Sequence, residues 1–378
     1  MKIIIAGPAY PYRGGIAAFN ERLANELISE GHDVELYTFT LQYPSFLFPG
    51  KTQYSNASPP ENLKIYRKIN SVNPFNWLAI GREIRKKEAD ILIVKFWLPF
   101  MAPCLGTIAR KAKKNGKTKV LSILDNIIPH EKRPGDKLLA SYFASSMDSF
   151  IAMSQSVLQD VEALDKKKPK LLSPHPLYDH FGKPVERQTA LKELGLDENK
   201  RYMLFFGFIR DYKGLDLLMR AYADKGFEEK NVELIVAGEF YNNSEKYFKL
   251  EKELGLKGKI RWFNDFVPDD KVRYFFSAAD IIVQPYITAT QSGVTQIGYH
   301  FEKPMLVTDV GGLAEIILDG KAGYVVKPEP KAVKDALMDF FENDKADYFI
   351  EGVKEEKKKY AWARMTEAVK KAVDAVKK

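Results

Sequence analysis

The chain has 378 residues, of which 45% are hydrophobic, 12% aromatic and 29% charged. This length predicts about two domains, and the composition is globular rather than disordered or fibrous. The 58 Lys and Arg residues exceed the 50 Asp and Glu residues, and the resulting net charge of +8 favours an anionic partner. The one cysteine, Cys104, cannot form an intrachain disulfide, which favours a reducing compartment, and the His and Cys spacing offers no zinc site.

The chain begins with a short apolar run that ends in Gly and Pro, so it lacks the apolar core of a secretory signal peptide. The longest uncharged apolar stretch, 96–109, contains two prolines and is shorter than the roughly 18 to 20 residues that span a bilayer. We therefore expect a cytoplasmic protein that does not cross a membrane. The basic stretch that follows fits either peripheral contact with the inner face of a membrane or, as we favour, a solvated helix face. It consists of Arg110, Lys111, Lys113, Lys114, Lys117 and Lys119.

Short apolar runs alternate with amphipathic stretches along the chain, a pattern typical of parallel sheets flanked by helices. The strands predicted in the first half are 2–6, 33–39, 63–66, 90–96, 119–124 and 148–153. The strands predicted in the second half are 202–207, 232–238, 259–263, 280–286, 304–308 and 323–326. We therefore expect an α/β protein with two doubly wound, Rossmann-like domains.

The segment between these two series, 166–184, combines prolines with a lysine run and suits an interdomain connection. We place the first domain at 1–183 and the second at 184–345. The remaining segment, 346–378, has the spacing of helices that pack across a domain face. Segment 40–62 is too long and too rich in Pro and Ser for an ordinary connection, and it fits either an acceptor site or simple packing.

A glycine pair, Gly14 and Gly15, follows the first predicted strand and precedes a helix, where backbone N–H groups can receive a phosphate or a polar sugar group. A tight turn would use the same residues. A dinucleotide oxidoreductase would need Gly-x-Gly-x-x-Gly here and an acidic residue at the end of the second strand, and neither is present. The Walker phosphate loop is also absent.

In the second half, Gly207 ends a predicted strand, and Arg210 and Lys213 follow it closely. Two cations near one strand end can stabilise a departing pyrophosphate, although surface salt bridges would use them as well. A second polar loop, at 290–293, precedes another helix. Ser292 is a natural N-cap there, and the N–H groups of Gly293 and Val294 would point toward the same phosphates.

With these residues in place, the chain resembles the retaining family-4 glycosyltransferases of the GT-B fold, in which two Rossmann-like domains face each other across a cleft. The resemblance covers nearly the whole chain and depends on five motifs in their expected order. They are RGGIA (13–17), FGFIRDYKGLD (206–216), LIVAGE (234–239), ADIIVQPY (279–286) and VTDVGGLAEIILDGKAGYVV (307–326).

The resemblance implies that Gly15 lies near the diphosphate of a nucleotide-sugar donor and that Arg210 and Lys213 grip it. It also implies that Phe266 and Val267 bracket the base. Residues around Gly238 would then influence the choice of base, which we expect to be that of a UDP- or GDP-sugar.

The family usually carries two glutamates seven residues apart in this region. Thr290 or Gln291 and Ile297 stand in their places here, so both carboxylates are absent. Gln291 or Ser292 would substitute as a neutral hydrogen-bonding group. Glu315, which follows a glycine pair, is a further candidate for a donor contact.

The resemblance further implies a histidine after a central strand of the first domain, close to the donor sugar. Asp125 occupies that place, and His130 follows within a few residues. We therefore name Asp125, His130, Arg210 and Lys213 as candidate catalytic residues, with Asp125 preferred to His130.

The predicted function is transfer of a sugar with retention to a hydroxyl of a saccharide or lipid-linked acceptor, in surface polysaccharide or glycolipid assembly. No Asp-x-Asp metal motif follows a strand, so we expect neither a metal nor another cofactor. The alternatives are an inactive nucleotide-sugar-binding partner protein and a sugar-nucleotide 2-epimerase. Nucleic acid is not an expected partner because no reader motif accompanies the positive charge.

Overall fold

The computed structural model describes residues 1–44, 53–55, 58–128, 134–241, 244–289 and 292–377. The chain divides into two compact units. The first unit is formed by Met1–Pro176 together with Ala361–Lys378, and the second by Leu177–Tyr360. Each unit contains one parallel sheet with helices on both faces, so the predicted α/β class is confirmed.

The sheet of the first unit has seven strands, all parallel. They are β1 (Lys2–Ala6), β2 (Asp33–Leu41), β3 (Lys64–Asn70), β4 (Ile91–Phe96), β5 (Lys119–Leu124), β6 (Ser149–Ala152) and β7 (Lys170–Leu172). Their order is β3-β2-β1-β4-β5-β6-β7. All the strands predicted for this half are present. The edge strand β7 was not predicted, because its three residues lie in a segment whose prolines and lysines are typical of a linker.

The helices of the first unit cover both faces of this sheet. They are α1 (Gly15–Ser29), α2 (Pro74–Lys87), α3 (Ala102–Ala112), α4 (Asp136–Ser146), α5 (Gln155–Leu164) and α14 (Trp362–Lys377), with 3-10 helices at Pro99–Met101 and Lys113–Asn115. Strand side chains alternate between the faces: Ile3 and Ile5 pack with α1 and α14, whereas Ile4 and Ala6 pack with the other helices. Burial on both faces explains why these strands are continuous apolar runs.

The sheet of the second unit has six strands, also parallel. They are β8 (Arg201–Phe206), β9 (Val232–Ala237), β10 (Ile260–Phe263), β11 (Ile281–Gln284), β12 (Met305–Thr308) and β13 (Gly323–Val326), in the order β10-β9-β8-β11-β12-β13. Every strand predicted for this half is present.

The second unit's helices also lie on both faces of its sheet. They are α6 (Arg187–Leu194), α7 (Leu215–Tyr222), α8 (Gly226–Glu229), α9 (Glu245–Glu253), α10 (Asp269–Ala278), α11 (Gly293–His300), α12 (Pro330–Glu342) and α13 (Ala346–Lys357). Three 3-10 helices complete it, at Asp211–Lys213, Gly311–Leu313 and Lys358–Tyr360.

The C-terminal segment is shared between the two units. Phe349 of α13 is buried in the core of the second unit, and Trp362 at the start of α14 is buried in the core of the first. The chain leaves the first unit after Pro176, whereas the sequence places the boundary near Pro184.

Each sheet has one point where the strand order reverses. In the first sheet this point lies between β1 and β4, and in the second between β8 and β11. In open α/β sheets, ligands bind outside the carboxyl ends of the strands at such a switch point. Both topologies therefore indicate that the residues directly after these strands are candidates for ligand binding.

Candidate functional site

The donor-binding residues predicted in the second unit lie beyond the carboxyl ends of its strands. Because the strands are parallel, these ends form one edge of the sheet. Gly207 follows β8, Gly238 follows β9, and the pair Phe266 and Val267 follows β10. Three further residues, Ser292, Gly293 and Val294, lie between β11 and the first turn of α11, and Glu315 follows β12.

Five of the predicted residues form what we call the switch-point site: Gly207, Arg210, Lys213, Ser292 and Val294. A methyl group built on Gly207 would lie 3.0 Å from Nζ of Lys213 and 3.9 Å from Cγ2 of Val294. The turn after β8 and the first turn of α11 thus meet directly above the switch point. The sequence separates these two turns by about eighty residues, and the parallel pairing of β8 with β11 brings them together.

Lys213 is a buried cation. Lys213 is only 9% exposed, and its Nζ lies 5.5 Å from the centroid of the Tyr286 ring. Among the described residues, no carboxylate pairs with it. The pKa of Lys213 is lowered to about 8, mainly by burial and to a smaller extent by the nearby Arg210, since a second positive charge disfavours the ammonium.

Arg210 lies at the start of the same turn and is half-buried. Its guanidinium carbon lies 3.8 Å from the centroid of the Tyr241 ring, which is a cation–π contact. The neighbouring carboxylate, Asp211, pairs with Lys246 instead. Within the described ranges Arg210 therefore also lacks an acidic partner, and the site has two positive charges that the surrounding protein leaves uncompensated.

Close backbone contacts fix this turn. Gly214 has φ +66°, and a methyl group there would lie 2.0 Å from the carbonyl oxygen of Pro285. Gly238 has φ +142°, and its methyl group would lie 2.2 Å from the carbonyl oxygen of Gly207. Only glycine combines these φ values with such approaches. The N–H of Ile287 also donates to the carbonyl of Tyr212 at 2.7 Å, so the turn carrying both cations is held from two sides.

Ser292 is the N-cap of α11, as its sequence position predicts. Its Oγ accepts a hydrogen bond from the N–H of Val294 at 3.2 Å and lies 3.4 Å from the hydroxyl of Tyr286. The other N–H groups of a first helical turn have no acceptor within the helix, and the helix dipole adds partial positive charge. This helix terminus adds to the positive potential of Arg210 and Lys213.

Two glutamines next to this site were not identified from the sequence. Gln284 ends β11 and Gln296 lies in α11, and each is 1% exposed. In both, neither the amide oxygen nor the amide nitrogen has a hydrogen-bond partner in the described part of the chain. Gln284 is a polar residue at the end of an apolar run, and Gln296 follows Thr295 on a short helix, so neither position suggests a ligand contact. Buried polar groups are normally paired, so both are candidates for contact with a ligand.

Several predicted residues have less informative positions. Phe266 is 46% exposed, and Val267 packs at the margin of the core. Glu315 is exposed in a turn after the 3-10 helix Gly311–Leu313. Ile297, at the second glutamate position of the family pattern, is buried in the core. His130 and Gln291 lie outside the described residues, as does Thr290.

In the first unit, Gly14 and Gly15 lie at the start of α1, as predicted. Gly14 is the N-cap with φ +104°, and a methyl group there would have no atom within 4 Å. The first turn of α1 contains no acidic residue, so no carboxylate in that turn offsets the helix dipole. This geometry suits approach of a polar ligand, while the role itself stays a prediction.

Asp125 directly follows β5 in the first unit, and its partner is a lysine that the sequence did not suggest. Lys95 of β4 is 1% exposed, and its Nζ lies 3.0 Å from Oδ1 of Asp125. Burial lowers the pKa of Lys95 and raises the pKa of Asp125, and each is partly offset by the attraction between the two charges. We call these two residues the buried pair.

The basic stretch at 110–119 is largely engaged within the first unit. Arg110 donates to the hydroxyls of Ser145 and Ser146, Lys113 pairs with Asp148 at 2.7 Å, and Lys117 pairs with Asp90 at 3.2 Å. The stretch comprises the end of α3, a 3-10 turn and the first residue of β5, so it is not one helix face. Within the described ranges, no helix has both the length and the apolar composition that a membrane span requires.

Two family models together match most of the chain. The model described as Glycosyltransferase Family 4 matches residues 13–173, and the model described as Glycosyl transferases group 1 matches residues 186–356. The first match lies in the first compact unit and the second match in the second.

Similar proteins span the same length. An uncharacterized glycosyltransferase of Methanocaldococcus jannaschii is 24% identical over 99% of this chain and 98% of its own length. A D-inositol 3-phosphate glycosyltransferase of a Nocardioides species is 28% identical over 92% of this chain and 82% of its own length. The crystal structure of Anabaena HepE in complex with UDP superposes with a TM-score of 0.74, at 14% identity, over 99% of this chain and 100% of that protein.

These comparisons confirm both the predicted GT-B fold and the predicted family. The chain belongs to the group 1, family 4 glycosyltransferases.

Proposed function

We propose that this glycosyltransferase takes its sugar from a nucleotide diphosphate donor and transfers it, with retention, to a hydroxyl group of an acceptor. The observation that carries the proposal is the pair of cations at the switch point of the second sheet, Arg210 and Lys213, which have no acidic partner among the described residues. A buried ammonium without a counter-ion is costly, and a bound anion would relieve that cost. The UDP complex of the structurally similar HepE supports a nucleotide diphosphate as that anion.

The chemistry of sugar transfer explains why positive charge is needed here. As the bond between the anomeric carbon and the diphosphate oxygen breaks, negative charge grows on the leaving diphosphate. Fixed cations and oriented N–H groups stabilise such charge most effectively when they are in place before the reaction. In the proposed mechanism Lys213 acts as a point charge, Arg210 as a planar fork held on Tyr241, and the first turn of α11 as an N–H donor.

We propose that these groups replace the metal ion that other sugar transferases use. The predicted consequence is turnover that survives EDTA. A strict requirement for Mg²⁺ or Mn²⁺ would contradict this part of the proposal. Retention is proposed from the family resemblance, and NMR of the anomeric proton in the product tests it directly.

The acceptor is proposed to be a saccharide or a lipid-linked saccharide. These alternatives differ in whether the protein must meet a membrane surface. Pelleting with anionic vesicles at low salt distinguishes them, since a lipid-linked acceptor requires binding and a free saccharide does not. The role in surface polysaccharide or glycolipid assembly stays a prediction from the resemblance.

The decisive experiment is a thermal-shift screen against UDP, GDP, ADP, CMP and their common sugar conjugates. A ligand that binds only the folded state raises the melting temperature. We expect a shift with UDP or GDP that is lost in Arg210→Ala. The matched control is Lys249→Ala, because Lys249 of α9 has a 79% exposed side chain and lies outside the site.

Each outcome of the screen has a definite meaning. A shift with one nucleotide, followed by turnover of its sugar conjugate, supports the transferase and identifies the donor class. Tight binding without turnover across acceptors would favour the inactive partner protein instead. No shift with any nucleotide would contradict the proposed donor site.

A further inference from the structure

The buried pair of the first unit is a charged group inside an apolar layer. Lys95 extends from β4 toward the face of the sheet that α1 and α14 cover. Its Nζ lies 3.0 Å from Oδ1 of Asp125, 3.7 Å from the centroid of the Phe19 ring and 3.8 Å from Sδ of Met153. The carboxylate is thus the single charged partner of this ammonium among the described residues.

The fold gains little from such a pair. Removing two charges from water is expensive, and well-packed apolar side chains of similar size often serve a core equally well or better. The strands around Lys95 show that apolar residues suit this layer, since Ile91 and Ile93 point the same way from β4. A buried pair at the carboxyl edge of the sheet, next to its switch point, is therefore a candidate for function.

The pair also leaves hydrogen-bonding capacity unused. Oδ2 of Asp125 has essentially no contact with solvent and no hydrogen-bond partner among the residues that the structure describes. The same holds for Oδ1 of Asn20 in α1, which contacts the turn near Lys95: a methyl group built on Gly7 would lie 2.6 Å from the amide nitrogen of Asn20 and 3.0 Å from Cβ of Lys95. Covered acceptors without donors cost free energy. The Asp125 side chain as a whole is 22% exposed, so its carboxylate is open to a ligand hydroxyl.

We propose that Lys95 is a positioning residue, which keeps Asp125 ionised and oriented so that its carboxylate accepts a hydrogen bond from a hydroxyl of the sugar substrate. This inference rests on the proposed function, because it presumes a bound sugar. Asp125 is the residue that touches the substrate, and Lys95 acts only through it.

The charges around the pair support this division of roles. Without Lys95, burial would favour the protonated carboxyl, which can donate a hydrogen bond where the carboxylate only accepts. Glu21, which follows Asn20 in α1, accepts a hydrogen bond from the N–H of Tyr10 at 2.6 Å, so it is engaged elsewhere. The ring centroid of His175 lies 5.2 Å from that of Phe19. In the described part of the chain, Lys95 is the only cation that contacts Asp125.

The test compares four purified full-length variants with the wild type: Lys95→Met, Asp125→Asn, the double variant Lys95→Met/Asp125→Leu, and the control Lys87→Met. Lys87 of α2 pairs with the buried carboxylate of Glu35 at 3.0 Å, so the control removes an ion pair from the same unit at another place. The readouts are melting temperature, the Kd for UDP, and kcat and KM for UDP release from UDP-glucose, with GDP and GDP-mannose run in parallel.

We expect Lys95→Met and Asp125→Asn each to lower kcat about 100-fold. KM and the Kd for UDP should change less than about threefold, since the diphosphate binds elsewhere. The double variant should fold stably and be no less active than either single variant. The two residues act as a unit, so removing both costs no more activity than removing one. Lys87→Met should keep wild-type kcat.

Wild-type turnover in the folded double variant would overturn the proposal, as would a kcat loss of less than about threefold in Lys95→Met. If a single variant does not fold, the double variant still decides the question, since it contains no unpaired charge. Failure of the proposed function is distinguishable: the wild type itself would then release neither UDP nor GDP from these sugars, and the inference would fall with it.

Discussion

Two buried lysines, one in each compact unit, lie at the carboxyl edges of the two parallel sheets and have opposite surroundings. Lys95 is 1% exposed and pairs with Asp125 at 3.0 Å. Lys213 is 9% exposed and has no acidic partner in the described residues, while Arg210 adds a second positive charge. Within the described ranges, a carboxylate thus neutralises Lys95, whereas none neutralises Lys213.

This difference indicates what each lysine acts on. An ammonium that is already paired with a carboxylate attracts an external anion only weakly. Lys95 therefore acts on the carboxylate of Asp125. An uncompensated ammonium in a site of low dielectric attracts an anion strongly, so Lys213 is suited to a diphosphate. The two lysines are similarly buried, and the presence or absence of an acidic partner gives them different proposed roles.

The largest expected effect tests the compensation of Lys95. Asp125→Leu should lower the free energy of unfolding by about 3–5 kcal/mol, because it leaves a buried ammonium without its counter-ion. Denaturant unfolding followed by circular dichroism measures this loss. The double variant Lys95→Met/Asp125→Leu should recover most of it, and a loss below about 1 kcal/mol in Asp125→Leu would show that the pair is not tightly coupled.

The second prediction concerns the uncompensated lysine. Lys213→Met should weaken UDP binding about 100-fold, because a desolvated charge interaction with the diphosphate is lost. It should leave the stability of the free protein at pH 7 unchanged or higher, since it removes an unpaired buried charge. Isothermal titration calorimetry and thermal denaturation measure the two effects. A loss of stability with unchanged UDP affinity would reverse the roles assigned to Lys95 and Lys213.

The third prediction is a pH dependence of stability. The pKa of Lys213 is about 8 in the folded protein and 10.5 as the ordinary value, so between these values the unfolded chain binds more protons. Stability therefore rises with pH across this window, by about 1 kcal/mol between pH 8 and 9 for this group. Because burial also lowers the pKa of Lys303 to about 8, the measured quantity is the wild-type curve minus that of Lys213→Met. A flat difference between pH 7 and 10 would contradict the prediction.

The smallest expected effect concerns the start of α11. Ser292→Ala should lower the free energy of unfolding by about 0.5–1 kcal/mol, since the N–H of Val294 loses its acceptor. Ser292→Thr, which keeps the hydroxyl, should behave like the wild type. UDP affinity should change less than about threefold if Ser292 serves as a cap. A larger loss in the alanine variant would instead assign its hydroxyl to the donor.

The fold was predictable from sequence wherever apolar runs are long and bounded by turn residues. Strands such as 2–6, 119–124 and 323–326 have the predicted limits, because both faces of each sheet are covered and no position in these strands is fully exposed. The edge strand Lys170–Leu172 was missed because it is short and lies among prolines. The division of the C-terminal segment was also unpredictable, since helical spacing does not show which sheet a helix covers.

The candidate site was predictable only where a residue type suggests its own chemistry. Glycines at strand ends, Ser292 as a cap and the cations Arg210 and Lys213 could be named from the sequence. Lys95 could not be named, because the sequence does not show which residue pairs with a lysine inside an apolar run. Gln284 and Gln296 were missed for the same reason, since their unpaired amides depend on neighbours far along the chain.

The sequence by itself determined the α/β class, the strand order along the chain and the residues at the turns, because these follow from local hydrophobic periodicity and backbone preference. Only the tertiary structure decided which charges are compensated. The contact between Lys95 and Asp125 spans thirty residues and depends on parallel pairing of β4 with β5. The absence of a described counter-ion at Lys213 likewise follows from packing around β8 and β11, because burial and partner distance are properties of the folded chain.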